Sequence, residues 1–169
     1  MAGTSITPVT FGMAGVIYTE PRGREIFDES WLDAGFRMTP WTTRYEWRSD
    51  DLTVLTYQHM HEVRTRPGSY RFQVPNVGDI QGVVFGQFFG SRESDLHPEN
   101  FSTAVLSAYV RHGAPCFRDI NGLWAAVVWD GTGRQAYFAR DCVGGQTLYA
   151  AQLDGRIVFA TDLRSFYAG

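Results

Sequence analysis

The sequence contains no lysine, and all fifteen of its basic residues are arginine. A lysine Schiff base, a lysine general base and the lysine of a phosphate-binding P-loop are therefore excluded within this chain. Its two cysteines, Cys116 and Cys142, are too few for a disulfide scaffold and lack the paired spacing of a metal site. We therefore expect no metal ion and no cofactor.

Long apolar runs and an excess of one charge are also absent. No stretch approaches the roughly 20 apolar residues of a membrane span. Residues Met1–Ser5 lack the basic and apolar regions of a signal peptide. The formal net charge of −3 gives no electrostatic reason to expect nucleic acid or an anionic membrane as a partner. We expect a cytoplasmic protein with neither kind of partner.

The composition and the length of the chain are those of a folded domain. Hydrophobic residues make up 44% of the 169 residues and aromatic residues 15%, which is enough for a packed core. A chain of this length buries about two-thirds of its unfolded surface. The sequence has neither an internal repeat nor a low-complexity linker, so we predict a single domain over residues 1–169.

Short apolar or alternating runs, bounded by glycine, proline and aspartate, predict mostly β-structure. Turns at Asp130–Gly133 and Asp154–Gly155 predict two hairpins. Helical patterns are confined to Ser30–Met38 and Pro98–Arg111, the second of which ends before Gly113. The predicted fold class is α+β, rich in antiparallel sheet. The predicted strands are 10–18, 52–61, 82–89, 124–129, 135–140, 147–152 and 156–161.

Four segments resemble asparagine synthetase-like proteins in both order and spacing. Val84–Gly90 resembles that family's VNGEIYN segment, and Phe117–Asp130 resembles the segment that ends in FALWD. Ala139–Tyr149 is similar to the family segment that begins with ARD and ends with PLYY. Within it, we expect Arg140 and Asp141 to form an ion pair at a strand end. Val158–Phe166 is similar to FASELKAL, where the family's amidotransferase domain closes.

The resemblance extends to β-lactam synthetases and lasso-peptide cyclases. It implies a class II glutamine amidotransferase-like domain with the N-terminal nucleophile (Ntn) hydrolase fold, an αββα sandwich of two mainly antiparallel sheets. It also implies a partner, an ATP-dependent synthetase domain that adenylates a carboxylate. No such domain is recognisable in the 169 residues, so we expect the amidotransferase-like domain to stand alone.

Residues that the resemblance assigns to glutamine hydrolysis are replaced. The nucleophilic cysteine falls on Pro8 or on Ala14, depending on the alignment, and neither side chain can attack an amide. The asparagine and glycine of the oxyanion hole fall on Phe85 and Gly86, so a backbone donor remains without its side-chain partner.

The substrate clamp is replaced as well. The arginine that would bind the substrate carboxylate falls on His59, and the aspartate that would bind its ammonium group falls near Phe101 or Ser102. We therefore expect no glutaminase activity.

Polar side chains near the former glutamine pocket leave a catalytic alternative open. His59 and His61 share one face of a predicted strand, a geometry that can hold a metal ion or relay a proton, although no third metal ligand is evident. Arg64 could bind an anion. The candidate catalytic residues are His59, His61, Glu62 and Gln87, and the candidate binding residues are Phe85, Gly86 and Arg64.

Three functions are compatible with these features. The favoured one is a scaffold or partner that acts in trans with an asparagine synthetase-like ligase or cyclase, in natural-product biosynthesis. The second is a small biosynthetic enzyme, a cyclase or condensing enzyme, that reuses the pocket for a small-molecule substrate. The third is a module that binds a small metabolite. Homo-oligomerisation is compatible with all three.

Overall fold

A computed structural model describes residues 12–20, 28, 30–36, 42–59, 76–77, 79–91 and 101–166 of the chain. Two 3-10 helices, Ala114–Asp119 and Leu163–Phe166, accompany the strands and α-helices. The described strands are β1 (Gly12–Tyr18), β2 (Thr42–Arg48), β3 (Leu52–His59), β4 (Asn76–Val77), β5 (Ile80–Ser91), β6 (Ile120–Asp130), β7 (Gln135–Arg140), β8 (Tyr149–Leu153) and β9 (Arg156–Ala160); the helices are α1 (Trp31–Ala34) and α2 (Phe101–His112).

The strands form two antiparallel sheets that face each other across the main core. One sheet has the order β2-β3-β1-β9-β8 and the other β4-β5-β6-β7. Met13 and Phe159 of the five-stranded sheet share one buried cluster with Val83, Phe85 and Trp129 of the four-stranded sheet. Alternate residues of each strand therefore point between the sheets, as the period of two requires.

Helices cover both outer faces. Leu32 of α1 packs with Val16 on the outer side of the five-stranded sheet. Leu106 of α2 packs with Val128 on the outer side of the four-stranded sheet. The order of layers is therefore helix, sheet, sheet, helix, which confirms the predicted α+β sandwich.

Strand β1 lies at the centre of its sheet. It pairs with β3 on one side and with β9 on the other, and all seven of its residues are buried. A Cβ atom at Gly15 would lie 2.3 Å from the ring of Phe159, so that position accepts only glycine. Small and apolar residues fit here because both faces and both edges of the strand are covered.

All seven predicted strands are confirmed, with ends that differ by up to four residues. Both predicted hairpin turns are also confirmed, because β6 pairs with β7 and β8 with β9 around them. Of the predicted strand residues, 10–11 and 60–61 lie outside the described ranges.

Strand β2 was not predicted, since Arg44, Glu46 and Arg48 interrupt its apolar pattern. Its place at the sheet edge explains this polarity.

Both predicted helices are present. Helix α1 spans Trp31–Ala34 of the predicted Ser30–Met38, whose residues 37–38 lie outside the described ranges, and α2 is described over Phe101–His112, against the predicted Pro98–Arg111. Residues 98–100 lie outside the described ranges. In the described part of the chain, no helix is long and apolar enough to cross a membrane.

Candidate functional site

The predicted site centres on Phe85 and Gly86 in β5. Phe85 is only 4% exposed and belongs to the cluster between the sheets, together with Met13 at the start of β1. Its ring therefore fills space between β1 and β5 at the position where the resemblance implies an asparagine. The side chain at this position offers apolar contact and no hydrogen-bond donor.

Gly86 has a backbone conformation that other residues rarely adopt. Its φ is 129°, and a Cβ atom there would lie 2.0 Å from the carbonyl oxygen of Leu123 and 2.7 Å from the Cα of Trp124. The close approach of β6 thus requires glycine at this position. Its part in binding stays a prediction.

The start of β1 is where the resemblance places the nucleophile. Ala14 is fully buried and pairs with Leu55 and Ala160 in the middle of the sheet. Pro8, the alternative position, lies outside the described residues. In the alignment that selects Ala14, a methyl group enclosed by two neighbouring strands occupies the nucleophile position.

Thr161 anchors the start of β1. The Met13 N–H donates to Thr161 Oγ1 at 2.9 Å, and the Thr161 N–H donates to the Met13 carbonyl at 2.8 Å. The Thr161 hydroxyl also donates to that carbonyl, at 3.2 Å. These bonds fix the backbone at the strand end, and the sequence gives no local sign of them because the two residues are 148 positions apart.

The polar candidates fall on both sheets. His59 ends β3 and pairs with Thr42, whereas Gln87 lies in β5 and pairs with Leu123. For these two residues the structure describes the backbone only. His61, Glu62 and Arg64 lie outside the described residues, so the convergence of these side chains stays a prediction.

The described residues contain no group of three or more histidine, cysteine, aspartate or glutamate side chains that could hold a metal ion. Cys116 is buried and Cys142 is exposed, and neither forms a disulfide. Cys116 packs on the outer side of the four-stranded sheet with Leu106 and Val128. It therefore lies on the other side of that sheet from the cluster that contains Phe85.

Asp141 holds the loop between β7 and β8. Its buried carboxylate accepts backbone N–H groups of Trp124 (3.2 Å), Val143 (3.1 Å), Gly145 (2.9 Å) and Gln146 (3.0 Å). Burial by itself raises the pKa of this carboxyl, but the four donors outweigh it and hold the pKa below its usual value.

The predicted ion pair between Arg140 and Asp141 was wrong. Among the described residues, no ion pair joins these two side chains, because the aspartate turns inward to the backbone N–H groups. Arg140 is exposed. The sequence pattern identified the segment correctly but assigned the wrong partner to its carboxylate.

A polar network that sequence reasoning missed lies on the outer side of the five-stranded sheet. Arg44 donates to both oxygens of Asp33, at 2.9 and 3.3 Å, and to Glu46 at 2.8 Å. The Tyr57 hydroxyl also donates to Asp33, and the Phe36 ring stacks on Tyr57 with centroids 4.4 Å apart. The network attaches α1 to β2 and β3, and alternating charges in β2 are its only sequence signal.

Residues 92–168 match the family model described as a glutamine amidotransferase domain. This part of the chain, slightly less than half of its length, is therefore similar to a glutamine amidotransferase domain. The matched range includes α2, β6 to β9, both hairpins and the Asp141 loop. The match includes three of the four segments that carry the resemblance, Phe117–Asp130, Ala139–Tyr149 and Val158–Phe166, whereas Val84–Gly90 lies outside it.

Two curated proteins are similar to part of the chain. Asparagine synthetase [glutamine-hydrolyzing] 2 of Bacillus subtilis (strain 168) is 24% identical over 98 residues, which is 54% of this chain and 13% of the relative. Amidase chyE of Penicillium rubens is 28% identical over 82 residues, which is 48% of this chain and 11% of the relative. The chain thus spans between 11% and 13% of the length of these relatives.

Proposed function

We propose that this chain is an amidotransferase-like domain without glutaminase activity. In this proposal it acts as the scaffold or partner of an asparagine synthetase-like, ATP-dependent ligase or cyclase in natural-product biosynthesis. The observation that carries the proposal is Phe85, whose ring is 4% exposed within the apolar cluster between the sheets.

Hydrolysis of an amide needs donors aimed at the developing oxyanion. Loss of one such donor costs roughly 3–4 kcal/mol of transition-state stabilisation. The aromatic ring of Phe85 supplies no donor, and it is buried in the apolar cluster between the sheets. At Ala14 a methyl group offers no lone pair for attack on the substrate carbon. Each residue lacks a group that hydrolysis needs, so each supports the loss of hydrolysis separately.

The relatives support the partner role. The first is named as a glutamine-hydrolysing asparagine synthetase, and the region similar to this chain is 13% of its length. In such a protein the amidotransferase part works beside a synthetase part. We propose that this chain keeps the folded αββα domain for contact with a synthetase-like protein, while the chemistry of ammonia release is gone.

Glutamine hydrolysis by the purified chain tests the first half of the proposal. We expect no release of glutamate above a heat-denatured control, and no labelling by a glutamine-like electrophile. The variants Cys116→Ser and Cys142→Ser should behave as the wild type does. Glutamate release that either cysteine substitution abolishes would overturn the proposal.

Reconstitution tests the second half. A synthetase-like protein from the same organism is incubated with ATP and a carboxylate substrate, with and without this chain, and pyrophosphate release is measured. We expect the chain to bind the synthetase-like protein in calorimetry and to raise the rate several-fold. No heat of binding and an unchanged rate would contradict the partner role.

A further inference from the structure

The two edges of the five-stranded sheet differ in charge. Strand β2, at one edge, carries Arg44, Glu46 and Arg48 among its seven residues, and Arg44 is paired with Glu46 at 2.8 Å. Strand β8, at the other edge, carries no charged residue. Proteins usually protect an edge strand with charge, proline or a bulge, because its free backbone groups can pair with another chain. The β2 edge has this protection and the β8 edge does not.

The uncharged stretch extends beyond β8. Cys142–Leu153 contains no charged residue, although nine of these twelve residues are exposed. Among the described strands, β9 is the sole neighbour of β8. A partner that covers this uncharged, exposed strip should itself be uncharged there. A charged group buried against the strip would have no opposite charge to pair with, which is costly.

The side chains of β8 show which surface fits. Tyr149 and Leu153 are 37% and 43% exposed, and they alternate with Ala151, which packs against the outer core cluster. These three residues therefore point to one face of the sheet. A twofold axis through Ala151 would place Tyr149 of each copy opposite Leu153 of the other. Aromatic and aliphatic side chains that face each other across two strands stabilise the pairing.

We propose that β8 is a self-association edge, at which two copies of this chain pair antiparallel about Ala151. The two five-stranded sheets would then form one continuous sheet of ten strands. Growth stops at two copies because the edges left outside are the two charged β2 strands. This inference is independent of the proposed function, since it needs neither a synthetase partner nor a loss of hydrolysis.

Two double variants of the full chain test the pairing. Tyr149→Lys with Leu153→Lys places lysine opposite lysine in the dimer, whereas Tyr149→Lys with Leu153→Glu places lysine opposite glutamate. Sedimentation equilibrium over a concentration series gives the dimer dissociation constant. We expect the first variant to raise that constant at least roughly tenfold and the second to return it to about wild type. Tyr45→Lys, on the opposite edge, is the control and should leave it unchanged.

Two outcomes of sedimentation would overturn the proposal. One is a wild-type chain that stays monomeric up to millimolar concentration, and the other is an unchanged constant in the lysine–lysine variant. Circular dichroism checks that both variants fold. If they do not fold, hydrogen exchange of the wild type decides, because pairing at β8 should slow exchange of the amides in 149–153 as the concentration rises. If exchange of these amides does not depend on protein concentration, the proposed pairing at β8 is wrong.

Discussion

At the scale of single residues, Asp141 shows how one carboxylate can organise a loop. Its four N–H donors come from β6 and from the turn that follows β7. An ionised carboxylate accepts at both oxygens and donates nothing, so it matches this all-donor surrounding. The uncharged amide of asparagine would turn an NH₂ group toward some of these donors.

We predict that Asp141→Asn lowers the free energy of unfolding by about 2–4 kcal/mol at pH 7. Because folding lowers the pKa of Asp141, its contribution is complete above the unfolded pKa of about 3.9 and is lost as the pH falls through the folded pKa. The difference between variant and wild type should therefore shrink in acid. Urea unfolding of both proteins at pH 7 and pH 3 measures this difference in the free energy of unfolding.

The matched control for this prediction is Asp154→Asn, in the exposed turn between β8 and β9. It should change stability by no more than about 0.5 kcal/mol. Equal stability of Asp141→Asn and wild type at pH 7 would show that the four bonds are not what holds the loop.

At the scale of elements, local chemistry made β6 to β9 predictable. Their turns contain Asp130–Gly133 and Asp154–Gly155, and the apolar runs on either side of each turn form the paired strands. Edge strand β2 was not predicted because its charged residues contact solvent or belong to the hydrogen-bond network around Asp33. The pairing of β1 with β3 and β9 could not be predicted, because nothing local in Gly12–Tyr18 specifies either partner.

In the candidate site, the expected loss of chemistry depends on residue type, whereas the geometry depends on the fold. Ala14 and Phe85 lack reactive or donor groups whatever the fold, so their chemical limits are readable from residue type alone. The burial of Phe85 against Met13 depends on sheets formed from distant parts of the chain. The same is true of the Asp141 donors, which come from sequence positions up to 17 residues away.

We predict that Gly86→Ala disrupts the pairing of β5 with β6. At a φ of 129° alanine is strained, and its Cβ would lie 2.0 Å from the Leu123 carbonyl oxygen, so the free energy of unfolding should fall by at least about 3 kcal/mol. The control is Gly113→Ala, where φ is 67° and the nearest atom is Pro115 Cδ at 3.7 Å. Strain without a clash should cost about 1–2 kcal/mol there. Chemical denaturation compares the two, and equal losses would contradict the clash.

At the scale of the whole molecule, the contact between the sheets holds the sandwich together. Trp129 Nε1 of β6 donates to Asp51 beside β3 at 3.3 Å, and the Ser49 hydroxyl donates to the Gln81 side chain of β5 at 2.7 Å. Phe85 contributes an apolar contact to the same interface. Its role in the sandwich is therefore structural whatever else the site does.

We predict that Phe85→Asn, which installs the residue type implied for the oxyanion hole, destabilises the protein by about 3–5 kcal/mol and creates no glutaminase activity. The loss combines a cavity with a buried amide that lacks partners. Phe85→Leu should cost less than half as much, because it keeps an apolar side chain. Thermal unfolding and glutamate release measure both effects; an asparagine variant as stable as the leucine one would argue for a polar, solvated pocket.

Central placement of β1 also determines when the sandwich can be completed during synthesis. Strands β5, β6 and β7 follow one another and can pair as they emerge, but β1 must wait for β9, since Met13 and Thr161 are 148 positions apart. At a synthesis rate of about 5–20 residues per second, that wait lasts roughly 7–30 s. Throughout it, a fully apolar strand keeps one edge unpaired on the nascent chain. Among the described strands, β1 is made first, so it is the strand most exposed to misassembly on the ribosome and the one most in need of a chaperone there.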